Sequence, residues 1–238
     1  VIPITHYPLP IPLNSIRPLP KDVVDLIAAS EVIDSLVAVV RELVENALDA
    51  QANRITISVW PESWRVQVVD NGVGMDLTNL KQAAAAHSTS KINTITDLFK
   101  INSLGFRGEA LHSLAQLSDL EIISRPNSPS LADAGWRVSY NHQGEVVKTE
   151  TIAVAQGTVI TVSNLFENWQ NRRQSLPASA QQLRGIQLII QQIALCHPQV
   201  TWQLRQGNNP WFQISPGVNA QQILPQIIKN IQFSDLFY

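Results

Sequence analysis

Apolar side chains return at every third or fourth position through residues 35–50. Leu36, Val39, Val40, Leu43 and Ala47 fall on one side of a 3.6-residue turn, which predicts a helix packed on a core. Glu42, Glu45, Asn46 and Asp49 keep the same spacing on a neighbouring stripe. On an isolated helix such a stripe reads as a solvated face. Elsewhere the period drops to two. Ile55, Ile57 and Val59 alternate with Thr56 and Ser58, and Trp64, Val66 and Val68 alternate with Arg65 and Gln67. Residues 119–124, 136–141, 145–151 and 158–163 are further strand candidates. Alternation on one face predicts an α+β fold, a two-layer α/β sandwich with a mixed, mostly antiparallel sheet covered by helices on one face. Helices are predicted over 21–29, through the small residues 83–86, and over 178–197. The last has Leu183, Ile186, Ile190 and Ile193 on its core side and Gln181, Gln182, Gln191 and Gln192 on the other. From Val200 a strand, a turn at Gly207-Asn208-Asn209 and a second strand read as a hairpin.

Composition narrows the classes. The chain has 238 residues, of which 45% are hydrophobic, so it can bury a sizeable core. A formal charge of -2 provides no global basic field, so any nucleic-acid contact has to come from a local patch. The single cysteine, Cys196, rules out an intrachain disulfide and a Cys-rich metal site, fits a reducing compartment, and reads as a core residue at a helix end. No apolar run reaches the roughly 20 residues of a membrane span, and no signal-peptide pattern is present. A soluble, cytoplasmic protein with no membrane partner is expected.

Candidate chemistry clusters in three short motifs. DNGVGM, Asp70 to Met75, follows the apolar run Val66, Val68, Val69; a carboxylate at a strand end followed by two glycines leaves bare backbone for a flat ligand. Asn71-Gly72 is also an ordinary turn signal. SLGFRGEAL, Ser103 to Leu111, places Gly105 and Gly108 before an apolar-periodic helix, where backbone amides face an anion. HSTSK, His87 to Lys91, reads as a solvated loop by composition, or as hydroxyls and a lysine that close over that anion.

Together RELVENALDA, DNGVGM, HSTSK, SLGFRGEAL and GTVITVSNLF (residues 157–166) resemble the nucleotide-binding motifs of the MutL-type mismatch-repair ATPases. These share a superfamily with DNA gyrase B, heat-shock chaperone ATPases and histidine kinases, and HSTSK with GFRGEAL favours the MutL branch. The resemblance implies a Bergerat-type ATP-binding fold, with ATP and Mg²⁺ as cofactors. It implies that Glu42 is the catalytic base and that Asn46, one turn on, gives Mg²⁺ an oxygen. It implies that Asp70 accepts from the adenine amine, that Gly74 and Met75 let the base approach, and that Thr158 supports Asp70 through water. Ser88, Thr89, Ser90 and Lys91 would belong to a lid. Leu104, Gly105, Phe106, Arg107, Gly108, Glu109, Ala110 and Leu111 would wrap the phosphates, Arg107 binding phosphate or pairing with Glu109. The implied partners are DNA, a MutS-type mismatch-recognition protein and a second copy of the chain in an ATP-dependent homodimer. A non-hydrolysing, nucleotide-dependent dimerisation or DNA-binding module is the alternative.

The chain departs from the family pattern in places. Ser30 stands where a glycine is usual and Leu36 where a proline is; both change the local backbone options. After Phe166, Asn168, Arg172 and Arg173 keep the basic pattern expected to touch DNA, while Gln170 and Gln174 replace a proline and a lysine. Residues 1–20, with six prolines, read as an arm or tail, 21–199 as the ATP-binding domain, and 200–238 as the truncated start of a second domain. In the family that second domain supplies a lysine to the γ-phosphate, so this chain is expected to bind nucleotide more readily than to hydrolyse it.

Overall fold

A computed structural model describes residues 17–88, 108–127 and 134–228, the side chain of Asp22 excepted. The stripe of apolar residues forms α2 (Leu36–Asp49). The Ser35 side chain caps it by accepting from the Ala38 N–H at 3.2 Å. Leu36, Ala38, Val39, Val40, Leu43, Val44 and Ala47 are buried. A fully buried aliphatic of this size contributes about 1.5–3 kcal/mol, so a charge at Leu43, 1% exposed, would break the helix–sheet contact.

Helix α2 lies on the first two strands, β1 (Arg54–Trp60) and β2 (Arg65–Asp70), which are joined through a 3₁₀ turn at Pro61–Ser63. The remaining strands are β3 (Asp119–Arg125), β4 (Gly135–Tyr140), β5 (Val146–Ile152), β6 (Gly157–Ser163), β7 (Thr201–Gln206) and β8 (Asn209–Ile214). Among the described residues they form one eight-stranded sheet in the order β5-β4-β3-β6-β2-β1-β7-β8. Every pairing is antiparallel except β1 with β7. The expected α+β sandwich with a mixed, mostly antiparallel sheet is therefore what the chain forms.

Helices α1 (Lys21–Val32), α3 (Leu77–Gln82), α4 (Ala110–Leu117) and α6 (Ser179–Cys196) join α2 over the sheet's apolar face; the short α5 is Gln170–Ser175 and α7 is Ala220–Ile227. Helix α6 crosses α2 closely at Gly185, where a Cβ would stand 2.9 Å from Val37.

The hairpin from Thr201 is built into the main sheet, β7 pairing in parallel with Arg54–Val59 of β1. Several readings need correction. Residues 83–86 form turns instead of a helix, because the Ala84 carbonyl is bonded by the His112 ring at 2.9 Å. Cys196 ends α6 as expected, but is exposed. Gln182 is buried, not on a polar face; its Oε1 accepts from the Leu36 N–H at 3.3 Å and its Nε2 donates to the Pro177 carbonyl at 2.9 Å. A proline at position 36 could not make the first of these bonds. Ser30 sits within α1 and its hydroxyl donates to the Ile27 carbonyl at 2.7 Å.

Candidate functional site

Across the central strands the helix-covered face is layered. Val66, Val162 and Leu120 form one cross-strand row, and Val68, Ile160 and Ile122 the next. The third row turns polar: Asp70 on β2, Thr158 on β6 and Ser124 on β3 stand side by side, 8%, 6% and 0% exposed. Three adjacent buried polar residues at one end of an apolar sheet mark a site, since each must be satisfied to be tolerated.

Asp70 Oδ1 accepts from the Gly72 N–H at 2.8 Å, and the Thr158 N–H also points to the carboxylate. Burial nevertheless dominates and pushes the Asp70 pKa up to about 6. The loop that follows is clamped on all sides. The Asn71 side chain accepts from the N–H groups of Asn53 and Arg54 at 3.0 and 2.9 Å, and Val73 N–H donates to the Ala50 carbonyl at the end of α2 at 2.9 Å. Met75 N–H donates to the Ser124 hydroxyl at 2.8 Å. Gly74 has φ +69°, and a Cβ there would lie 2.0 Å from the Arg125 carbonyl, so both its backbone and its surroundings demand glycine.

Ser124 was not singled out by the sequence motifs. Its hydroxyl donates to the Gly157 carbonyl at 2.9 Å and lies 2.9 Å from the Thr158 hydroxyl. The available signal was a lone hydroxyl at an inward position of an otherwise apolar alternation, Leu120, Ile122, Ser124.

On α2, Glu42 and Asn46 stand one turn apart and half-buried on the stripe that leads to this loop. Arg41 Nη2 reaches Glu42 Oε1 at 3.3 Å. Glu45, Asn46 and Asp49 are all engaged in interactions.

The structure also joins the beginnings and ends of the other two motifs. The exposed His87 places Nδ1 3.4 Å from Oε1 of the half-buried Glu109, so the start of HSTSK meets the end of GFRGEAL. Gly108 has φ +65° and Glu109 forms the N-cap position of α4, its carbonyl accepting from the Ser113 N–H at 2.7 Å. Ala110 and Leu111 make the first turn, and Ser88 Oγ donates to the Ala86 carbonyl at 3.4 Å. Thr89, Ser90, Lys91, Leu104, Gly105, Phe106 and Arg107 lie outside the described residues.

A separate cavity of about 160 Å³ lies between Leu26, Asp119, His142, Asn164, Phe166 and Trp169. Asp119 and Ser124 are at opposite ends of β3, so this cavity is not the polar row's site. Beside it, the two arginines expected to face DNA have intramolecular partners. The Arg172 guanidinium lies 5.9 Å over the Phe166 ring, and Arg173 lies 5.4 Å over Trp64 while its Nε donates to the Leu165 carbonyl at 2.8 Å.

Residues 34–168 match the family described as histidine kinase-, DNA gyrase B- and HSP90-like ATPases. The chain belongs to that family. Within it, the resemblance to the MutL branch is borne out by sequence relatives. The chain is 60% identical over 221 residues to the DNA mismatch repair protein MutL of Nostoc punctiforme, covering 93% of this chain and 38% of that protein. It is 36% identical over 223 residues to MutL of Pediococcus pentosaceus, covering 92% of this chain and 34% of the relative. It thus spans less than half the length of these relatives. Among solved structures, the N-terminal domain of a DNA repair protein superposes with a TM-score of 0.72 at 27% identity, covering 89% of this chain and 62% of that one. The Aquifex aeolicus MutL ATPase domain complexed with ADP gives 0.65 at 23% identity, covering 82% and 69%, and supports the fold. No helix among the described residues is long and apolar enough to cross a membrane.

Proposed function

We propose that this chain is the nucleotide-binding part of a MutL-type mismatch-repair ATPase, in which ATP binding and hydrolysis drive dimerisation and repair signalling. The observation that carries the reading is the buried Asp70 carboxylate, set beside Thr158 at the end of an apolar layer and against a loop that tolerates only glycine at position 74. A carboxylate held this way accepts from an exocyclic amine. Adenine supplies one, whereas guanine presents a carbonyl to the same oxygen, which leaves the buried acceptor unpaired.

Glu42 is the general base, placed on the half-buried stripe of α2 to orient and deprotonate the attacking water. Its pairing with Arg41, side chain 45% exposed, leaves the carboxylate on the surface of the site instead of in the core. Among the described residues there is no cluster of three or more His, Cys, Asp or Glu that could cage a metal. One amide oxygen from Asn46 suits Mg²⁺, which prefers few protein ligands alongside phosphate oxygens and water. Bound there, Mg²⁺ neutralises phosphate charge during phosphoryl transfer. Gly108 to Leu111, at the N-terminus of α4, contribute backbone amides to the phosphates, and Ser88 belongs to the segment that closes over them. Thr89, Ser90, Lys91 and Leu104 to Arg107 complete that assignment.

A MutS-type protein, mismatched DNA and a second copy of the chain are the proposed partners, in the cytoplasm. The test is ATP turnover by the intact protein and by Glu42→Ala. The reading expects turnover to disappear while ATP affinity stays within about threefold; unchanged turnover removes Glu42 from its role.

A further inference from the structure

Ser124 has a single proton and three polar neighbours. Met75 N–H donates to its oxygen at 2.8 Å, the Gly157 carbonyl lies at 2.9 Å, and the Thr158 hydroxyl at 2.9 Å. A carbonyl only accepts, so the Ser124 proton goes to Gly157. Its two lone pairs then take the Met75 N–H and one further donor, and the remaining neighbour is Thr158. Every hydrogen-bonding capacity of Ser124 is filled in this one arrangement, and at 0% exposure no bulk water competes for it.

The consequence falls on Thr158. Its only hydroxyl proton is spent on Ser124, so the oxygen has lone pairs alone to offer on the row it shares with its cross-strand neighbour Asp70. We infer that Ser124 is a positioning residue that fixes the Thr158 hydroxyl as an acceptor, so that Asp70 and Thr158 together present a donor-free floor selecting an amine over a carbonyl on the bound base. Two acceptors side by side match the two hydrogens of an amino group, or a water that donates to both. A carbonyl in the same place meets oxygen on both sides, and Thr158 cannot turn its proton round to rescue it without breaking the Ser124 bond. Ser124 itself touches no ligand; it acts through Thr158 and through the Met75 amide that holds the loop. This inference rests on the reading of the Asp70 pocket as an adenine site.

The experiment is calorimetric binding of ATP and inosine triphosphate, which carries a carbonyl where adenine carries the amine, to the intact protein and three variants. The wild type is expected to prefer ATP. In Ser124→Ala the Thr158 hydroxyl is freed to donate, so the preference narrows by about tenfold, the worth of one hydrogen bond, through tighter relative binding of inosine triphosphate. In Ser124→Ala/Thr158→Val the freed donor is gone, so the tightening of inosine triphosphate disappears, while ATP weakens by about tenfold through the lost Thr158 acceptor. If Ser124→Ala weakens both nucleotides equally and leaves the ratio unchanged, Ser124 merely braces the loop and the inference is overturned. Should Ser124→Ala not fold, Thr158→Val alone decides. Loss of an acceptor weakens ATP by about tenfold and spares inosine triphosphate, whereas a larger loss for inosine triphosphate makes Thr158 a donor and overturns the inference. A wild type that binds neither nucleotide, or both alike, sinks the adenine-site reading and this inference with it, an outcome distinct from an unchanged ratio.

Discussion

Asp70 and Thr158 face each other directly across the β2–β6 pairing, both buried, on the row where an apolar sheet face turns polar. Placing a carboxylate there is costly, and the cost has a measurable sign. In the unfolded chain the Asp70 carboxyl titrates near its ordinary value of 3.8; folding lifts it to about 6. Between about pH 4 and 6 the folded chain therefore holds a proton that the unfolded chain has lost. Stability contributed by this group is fully present below the unfolded value and declines as pH rises through the folded one. The ionised group at neutral pH costs roughly 3 kcal/mol by this reckoning. Asp70→Asn should remove that slope and raise the stability of the ligand-free protein at pH 7. Urea unfolding at pH 4.5 and 7 checks it; an Asn variant less stable than wild type at pH 7 contradicts the account.

The same titration gates the ligand. Adenine binding draws on the ionised carboxylate, so ATP affinity should fall as pH drops below about 6, by up to about tenfold per unit. A flat affinity from pH 5 to 7, at constant ionic strength and corrected for titration of the phosphates, would show that Asp70 is not the acceptor.

Gly74→Ala is expected to damage both fold and site. The added methyl meets the Arg125 carbonyl at 2.0 Å in a backbone with φ +69°. The left-handed conformation alone costs about 1 kcal/mol for alanine, and the clash adds to it. A loss above about 2 kcal/mol in chemical denaturation, with ATP binding weakened even in the folded fraction, is the expected result. A neutral substitution would mean that the loop does not lie as described.

Arg173 separates a structural role from a DNA-binding one. Its guanidinium lies over the Trp64 ring and its Nε donates to the Leu165 carbonyl, tying α5 to the turn before β2. Arg173→Lys keeps the charge but loses the planar guanidinium and the Nε donor. If the role is structural, Lys and Ala should both cost about 1–2 kcal/mol of stability. Lys rescuing DNA affinity without a stability loss would instead place Arg173 at a nucleic-acid surface.

Local patterns carried much of this architecture. The three- and four-residue spacing from Leu36 to Ala47 specified α2, and alternation along 55–59 and 66–68 specified β1 and β2, because burial of one face enforces both periods. Asp70 and Gly74 were legible as a strand-end carboxylate and a glycine turn. What stayed hidden depended on distant partners. The β1–β7 pairing joins residues such as Ile57 and Leu204 that no local pattern relates. Residues 83–86 looked helical because alanine favours helices, but the Ala84 carbonyl is claimed by His112 and the surrounding turn is pressed by Gly144. Ser124 carries little local signature because its importance lies in three neighbours from other segments. Arg172 and Arg173 read as a basic pattern for DNA because an aromatic partner on another element leaves no trace in a charge pattern.

The most direct measurement is calorimetry of Mg²⁺-ATP binding, with GTP as competitor, to the intact protein and to Asp70→Asn. Saturable, adenine-selective binding by the wild type, lost in the variant even though the variant is folded, is the expected result. Binding that survives the Asp70 substitution, or that GTP displaces as readily as ATP, contradicts the placement of the nucleotide on the Asp70–Thr158–Ser124 row.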